Sequence, residues 1–140
     1  MLPSQERLRR ASLFQRTYAE RKSVSSEIAT LYVLSRQPRS APNLPHVGFV
    51  IAKKVDKRAT KRNLAKRRVR EAYRHARLGQ GSVKQWYSMV WVIHNKALDA
   101  TWEEVSQAVS FCITRASEKF GRPRKREADP ADVPPERQEQ

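Results

Sequence analysis

Cysteine occurs once in this chain, at Cys112, which excludes an intramolecular disulfide and any multi-cysteine zinc site and makes the reducing cytoplasm the default location. Glycine occurs only four times, and never in a phosphate-cradling pattern. The longest unbroken apolar run, Met89 to Ile93, is far too short for a membrane span. The opening MLPSQERLRR has arginines with no apolar segment behind them, so it does not read as a secretory signal. Histidine is scarce: His46, His75 and His94 fall in different segments, no H-x-x-x-H pair exists, and the carboxylates do not cluster as metal-binding pairs would. These absences leave no expected catalytic residue, metal site or small-molecule substrate for the protein alone. Negative charge is also short, with 14 acidic residues against 29 basic ones, a net charge of +15 and a pI near 10.8. An excess of that size calls for a polyanionic partner, either nucleic acid or an anionic membrane surface.

What is present fits one small domain. At 140 residues with 39% hydrophobic composition, the chain can bury a single modest core over residues 1–120. Residues 121–140 carry four prolines and ten charges and read as a disordered tail. Leu8, Ala11, Phe14 and Tyr18 are spaced for one stripe of a helix running from Glu6 to about Arg21, with Ser4 as its cap. Phe14 and Tyr18 read either as core or as faces for stacking unpaired bases. Ile28 to Leu34 and His46 to Ala52 read as strands, joined by a proline-containing connection, and Gly48 suggests close approach of another backbone or a packed helix. Tyr87 to Ile93 reads as a further strand with both faces covered. Thr101 and Glu104 form a capping box for a last helix, whose core face is Trp102, Val105, Ala108, Val109, Cys112, Ile113, Ala116 and Phe120.

The charge is concentrated between Lys53 and Arg77, where twelve basic residues face only Asp56 and Glu71. Thr60 and Gly79 bracket a helix there. On a wheel of 3.6 residues per turn, Ala65, Val69, Ala72, Tyr73 and Ala76 share one narrow arc, and Arg62, Lys66, Arg77, Arg70, Asn63, Arg74 and Arg67 fill the neighbouring one. Like charges three and four apart repel, so such a face needs a bound polyanion to offset them. The packing arc is too small for membrane insertion, which leaves nucleic acid. Arginine predominates on this face, and its planar fork suits a structured phosphate surface. Charge alone does not separate DNA from RNA.

VGFVIAKK followed by KRNLAKRRVREAYR resembles the bacterial ribonuclease P protein component, with the Arg62–Asn63, Lys66–Arg67 and Arg70–Glu71 pairs at the family's signature spacing. RLRRASLFQRTY is similar to the family's first helix, with Phe14 and Tyr18 at its aromatic positions, and LYVL puts Tyr32 at the aromatic of a strand. The resemblance covers roughly residues 7–119. It implies an α+β fold, a single two-layer α/β sandwich in the order α-β-β-β-α-β-α. The sheet has about four strands and a left-handed β-α-β crossover, as in ribosomal protein S5 domain 2. It further implies the non-catalytic subunit of an endoribonuclease whose RNA subunit, with Mg2+ held mainly by that RNA, removes the 5′ leader of precursor tRNA. Lys57, Arg58, Lys61, Arg62, Asn63, Lys66, Arg67, Arg70 and Arg74 would then face the catalytic RNA. Phe14, Tyr18, Tyr32, Lys53 and Lys54 would line the leader cleft. Leu64 stands where many members carry a third basic residue. The rival expectation is a general nucleic-acid-binding protein, ribosomal or DNA-compacting, without leader recognition.

Overall fold

A computed structural model describes residues 4–36, 44–79 and 81–121. Part of the proline-containing connection and nearly all of the expected tail lie outside them. Among the described residues three α-helices, α1 (Ala11–Ala19), α2 (Ala59–Gly79) and α3 (Trp102–Phe120), accompany four strands, β1 (Ser23–Ser25), β2 (Ala29–Ser35), β3 (His46–Val50) and β4 (Trp86–Ile93). The element order is the expected one. The sheet order is β1-β2-β4-β3, with β1/β2 and β2/β4 antiparallel and β3/β4 parallel. The parallel pair follows from placing α2 between the two strands in sequence, since parallel neighbours need a long crossover.

Alternation along the strands decides which residues meet the helices. Leu31 and Val33 of β2, Met89, Trp91 and Ile93 of β4, and Val47 of β3 are buried in one core with Ala65, Val69, Ala72 and Tyr73 of α2 and Val105, Val109, Cys112, Ile113 and Ala116 of α3. Fully burying side chains of the Val, Leu or Ile kind contributes about 1.5–3 kcal/mol each, so this layer dominates stability. The packing arc of the basic helix is therefore where the wheel put it. Cys112 is wholly buried, and burial pushes its thiol up to about 11, as befits a core residue. Thr101 caps α3: its hydroxyl accepts from the Glu104 amide at 3.2 Å, and the Glu104 carboxylate accepts from the Thr101 amide at 2.9 Å.

Three local expectations are corrected. α1 starts at Ala11 with Arg10 at its N-cap, because the backbone of Arg7 and Leu8 pairs with β3 instead. Arg7 bridges Val47, and the Leu8 amide donates to the Val47 carbonyl at 2.9 Å, so backbone groups that a helix would use internally are spent on the sheet edge. In consequence Leu8 is buried while Ala11 is exposed. Thr60 lies within the first turn of α2, which starts at Ala59, and is not its cap. Trp102 is 47% exposed at the head of α3, outside the core, with its ring edge-on to His75 at 5.8 Å. β1 is the first strand of the order that the resemblance implies, and it is too short for residue patterning alone to reveal.

Candidate nucleic-acid interface

The face of the sheet opposite α2 and α3 is only partly covered. Strand register places its outward residues in rows: Leu34, Ser88 and His46, then Tyr32, Val90 and Gly48, then Thr30, Val92 and Val50. α1 lies across the strands over the first two rows. At one end Phe14 sits on Gly48, where an added Cβ would meet its ring, and in the middle the buried Thr17 bonds Ser88 at 2.6 Å. At the other end Tyr18 meets Tyr32 edge-on, with ring centroids 4.9 Å apart. The Thr17 hydroxyl donates to the Leu13 carbonyl at 2.7 Å, so in the bond to Ser88 it accepts.

The third row is left half-buried. This partly exposed strip, next to the row of Tyr32 and Gly48 over which Tyr18 and Phe14 lie, is the trough of the candidate interface. His94 Nε2 and Thr30 Oγ1, 2.8 Å apart, border its far side. Burial, and secondarily Tyr32, raises the Tyr18 hydroxyl above its ordinary value, so that ring stays neutral around pH 7. Lys53 and Lys54 are exposed in a 3-10 turn beyond the C-terminal end of β3, on the strand that ends with Val50. Tyr18 and Tyr32 are thus brought into contact, with Phe14 one turn earlier on α1 over Gly48. The close approach anticipated at Gly48 is that of the Phe14 ring.

On α2 the predicted cationic arc is present but not uniformly available. Arg77 is turned inward: its side chain is 10% exposed and its Nε lies 2.9 Å from Oε1 of Glu6, itself 6% exposed. That contact is off the line of a hydrogen bond, whereas Nη2 donates to Oε2 at 3.2 Å. Arg77 is therefore a tether for the N-terminal segment, and the arc is corrected accordingly. Arg62 donates to the carbonyls of Asp56 and Lys57 at 2.7 and 3.0 Å, fastening the loop before α2 to its first turn. In that loop Arg58 donates to Asp56 through its amide at 2.8 Å, Nε at 3.0 Å and Nη2 at 2.8 Å. These hydrogen bonds hold the Asp56 carboxyl down at about 2. Because the folded value lies below the ordinary one, this lock contributes above the usual carboxylate range and is lost only as pH falls through about 2. Arg74 pairs with Glu71 at 3.0 Å and holds that carboxyl at about 2 as well.

Lys57, Lys61, Asn63 and Arg67 are exposed, and Leu64, at 42% exposure, interrupts them with an apolar side chain. Lys66 and Arg70 line a hollow of about 200 Å³ with Phe14, Gly48 and Phe49, and the Arg70 guanidinium lies 5.8 Å from the Phe49 ring centroid. The cationic helix and the aromatic trough meet at this hollow. Sequence reasoning missed that junction, because its members come from three separate stretches. It also missed a second hollow behind α1, whose only advance signal is the run of arginines at positions 7, 9 and 10. Among the described residues there is no group of three or more His, Cys, Asp or Glu side chains that could hold a metal ion. No helix among them is long and apolar enough to cross a membrane.

Comparison with known proteins gives this geometry a lineage. A sequence model described as Ribonuclease P matches residues 2–117. The ribonuclease P protein component of Alkaliphilus oremlandii is 34% identical over 109 residues, covering 78% of this chain and 89% of the relative. That of Symbiobacterium thermophilum is 38% identical over 110 residues, covering 79% and 90%. Among solved structures, the RNase P protein from Thermotoga maritima superposes with a TM-score of 0.64 at 24% identity, over 79% of this chain and 96% of the other. The Staphylococcus aureus RNase P protein gives a TM-score of 0.64 at 20% identity, over 79% and 94%. Family match and fold agree over the same span, and the chain belongs to the ribonuclease P protein family.

Proposed function

We propose that this chain, as the protein component of ribonuclease P, binds the catalytic RNA through the cationic side of α2 and holds the unpaired 5′ leader of precursor tRNA in the trough beside α1. In this reading the RNA subunit, with magnesium ions, performs the hydrolysis in the cytoplasm, and the protein orients the leader near the scissile bond. The observation that carries it is the half-buried row Thr30, Val92 and Val50 lying open beside Phe14, Tyr18 and Tyr32. A merely structural aromatic cluster would close over such a row. An open one offers π-faces to unpaired bases regardless of their identity. Lys57, Arg58, Lys61, Arg62, Asn63, Lys66, Arg67, Arg70 and Arg74 supply the RNA face, with Arg58 and Arg62 also ordering its loop. Lys53 and Lys54 supply phosphate contacts at the trough's end.

The test is affinity for precursor tRNA with and without a leader, measured on the holoenzyme. Stacking on an aromatic contributes about 1–3 kcal/mol per base, and 1.4 kcal/mol is tenfold, so Phe14→Ala and Tyr18→Ala should each weaken leader-bearing precursor about tenfold. Mature tRNA should be bound nearly as by wild type. A general nucleic-acid binder predicts equal affinities for the two RNAs and no selective loss, and that result would overturn the proposal.

A further inference from the structure

Four large apolar side chains are exposed among the described residues, Leu64, Leu78, Trp102 and Phe111, and the first three share one side of α2. Leu64, Arg68, Glu71, His75 and Leu78 are spaced four, three, four and three apart, so they form one stripe along the helix. Arg67 and Arg74, the edge of the cationic arc, border that stripe. Trp102 reaches it from α3, with its ring nearly perpendicular to that of His75 at 5.8 Å. Two features fix its place: the Thr101 and Glu104 capping box sets the start of α3, and the Arg68 guanidinium donates from Nη1 to the Ala100 carbonyl at 3.2 Å. A perpendicular ring contact covers at most one face of the indole, and Trp102 remains 47% exposed. Uncovered tryptophans are concentrated where a surface meets a partner.

We propose that Trp102 is a stacking ledge for one unpaired base of the catalytic RNA, beside the phosphates that α2 holds. Continuity and charge favour this occupant. Arg67 is exposed at the border of the stripe, so a phosphate bound there brings its nucleotide to the edge of the ledge. The ledge itself is unsuited to phosphate: Glu71 lies 4.0 Å from His75 Nε2, and Glu103 directly follows Trp102 in the first turn of α3. A neutral base is free of that repulsion, and an indole accepts any of the four because each has a π-face. The inference rests on α2 facing the catalytic RNA, and it adds to that interface a contact from α3 that the charge of α2 does not disclose.

Trp86 and Trp91, the other tryptophans of the chain, are buried, so Trp102 should supply the fluorescence that acrylamide quenches readily. That component should be present in the free full-length protein, absent from Trp102→Phe, and shielded once ribonuclease P RNA without precursor tRNA saturates the protein. Trp102→Leu keeps an apolar side chain but loses the π-face, and leucine is a good helix former, so α3 is retained, which circular dichroism checks. In titrations with the same RNA it should bind about tenfold more weakly, the scale of one base stacked on an aromatic, whereas Trp102→Phe should stay within about threefold of wild type. The salt slope should change in neither, since no charge is removed. Phe111→Leu, half a revolution away on α3, should bind as wild type does. A component still open to acrylamide in the complex, wild-type affinity in Trp102→Leu, or an equal loss in Phe111→Leu would each overturn the proposal. So would a component shielded in the free protein and uncovered on dilution, which would make a second copy of the chain the occupant. Failure of the underlying reading looks different: Lys61→Gln with Lys66→Gln and Arg67→Gln would then bind the RNA as wild type does, and the ledge would fall with it.

Discussion

A methyl group at position 48 would lie 2.5 Å from Cζ and 2.7 Å from Cε1 of Phe14. Those atoms are the free end of a half-exposed ring, so Gly48→Ala should push the ring aside more than it unfolds the protein. Leader-bearing precursor should then bind as weakly as it does to Phe14→Ala, while urea unfolding shifts by no more than about 1 kcal/mol. Wild-type leader affinity in Gly48→Ala would show that the Phe14 position does not matter. The ion pair between Glu6 and Arg77 tests the tether. Removing one partner of a buried pair costs about 3–5 kcal/mol because the other charge is stranded, so Glu6→Ala should lower stability by about 3 kcal/mol in urea unfolding. Glu6→Leu combined with Arg77→Met should recover most of it. Gly48 was legible beforehand, since a glycine inside a strand marks close approach. The tether was not. Its two residues are 71 positions apart, and a helical wheel cannot tell an arginine facing solvent from one facing a neighbouring segment.

At the scale of elements, α1 ends with Arg21 at φ 57°, its amide donating to the Tyr18 carbonyl at 3.0 Å. Helices commonly stop on a left-handed residue, but there glycine avoids a Cβ clash that costs others about 1–2 kcal/mol. Arg21→Gly should therefore raise the unfolding free energy, by up to about 1 kcal/mol after the larger unfolded-state entropy of glycine is subtracted. A loss of stability in chemical denaturation would mean that the arginine side chain contributes more than its backbone costs. The long elements were readable from pattern. The packing arc of α2 and the Thr101 box survive because each follows from the geometry of a single helix, which spacing alone encodes. The start of α1 was not readable, since Leu8 satisfies helical spacing yet bonds to β3 through its backbone. Trp102 was misplaced for a similar reason: periodicity puts it on the core stripe, but at the first position of α3 it overhangs the end of α2 beside His75. β1 is only three residues long and exists as the partner of β2, a tertiary fact without a local signal.

For the whole molecule, the charge of +15 matters less than how it is divided. Arg58, Arg74 and Arg77 each lie against a carboxylate, whereas no acidic partner lies within ion-pair distance of Lys61, Lys66 or Arg67 among the described residues. Only uncommitted cations release counterions from RNA without first breaking a contact of their own. Replacing Lys61, Lys66 and Arg67 together by Gln should therefore lower the slope of log affinity for a ribonuclease P RNA against log salt by roughly 2–3, at about 0.7–0.9 per phosphate. Affinity at low salt should fall equally for precursors with and without a leader. Arg77→Gln carries the same kind of charge change on the same helix, but it should leave the slope unaltered and lower stability instead. Titrations at several potassium chloride concentrations, paired with urea unfolding, separate the two. If Arg77→Gln changed the slope as much per residue as the triple variant, the protein would be acting as a diffuse cation, and the orientation of α2 on its small-residue arc would have no bearing on RNA binding.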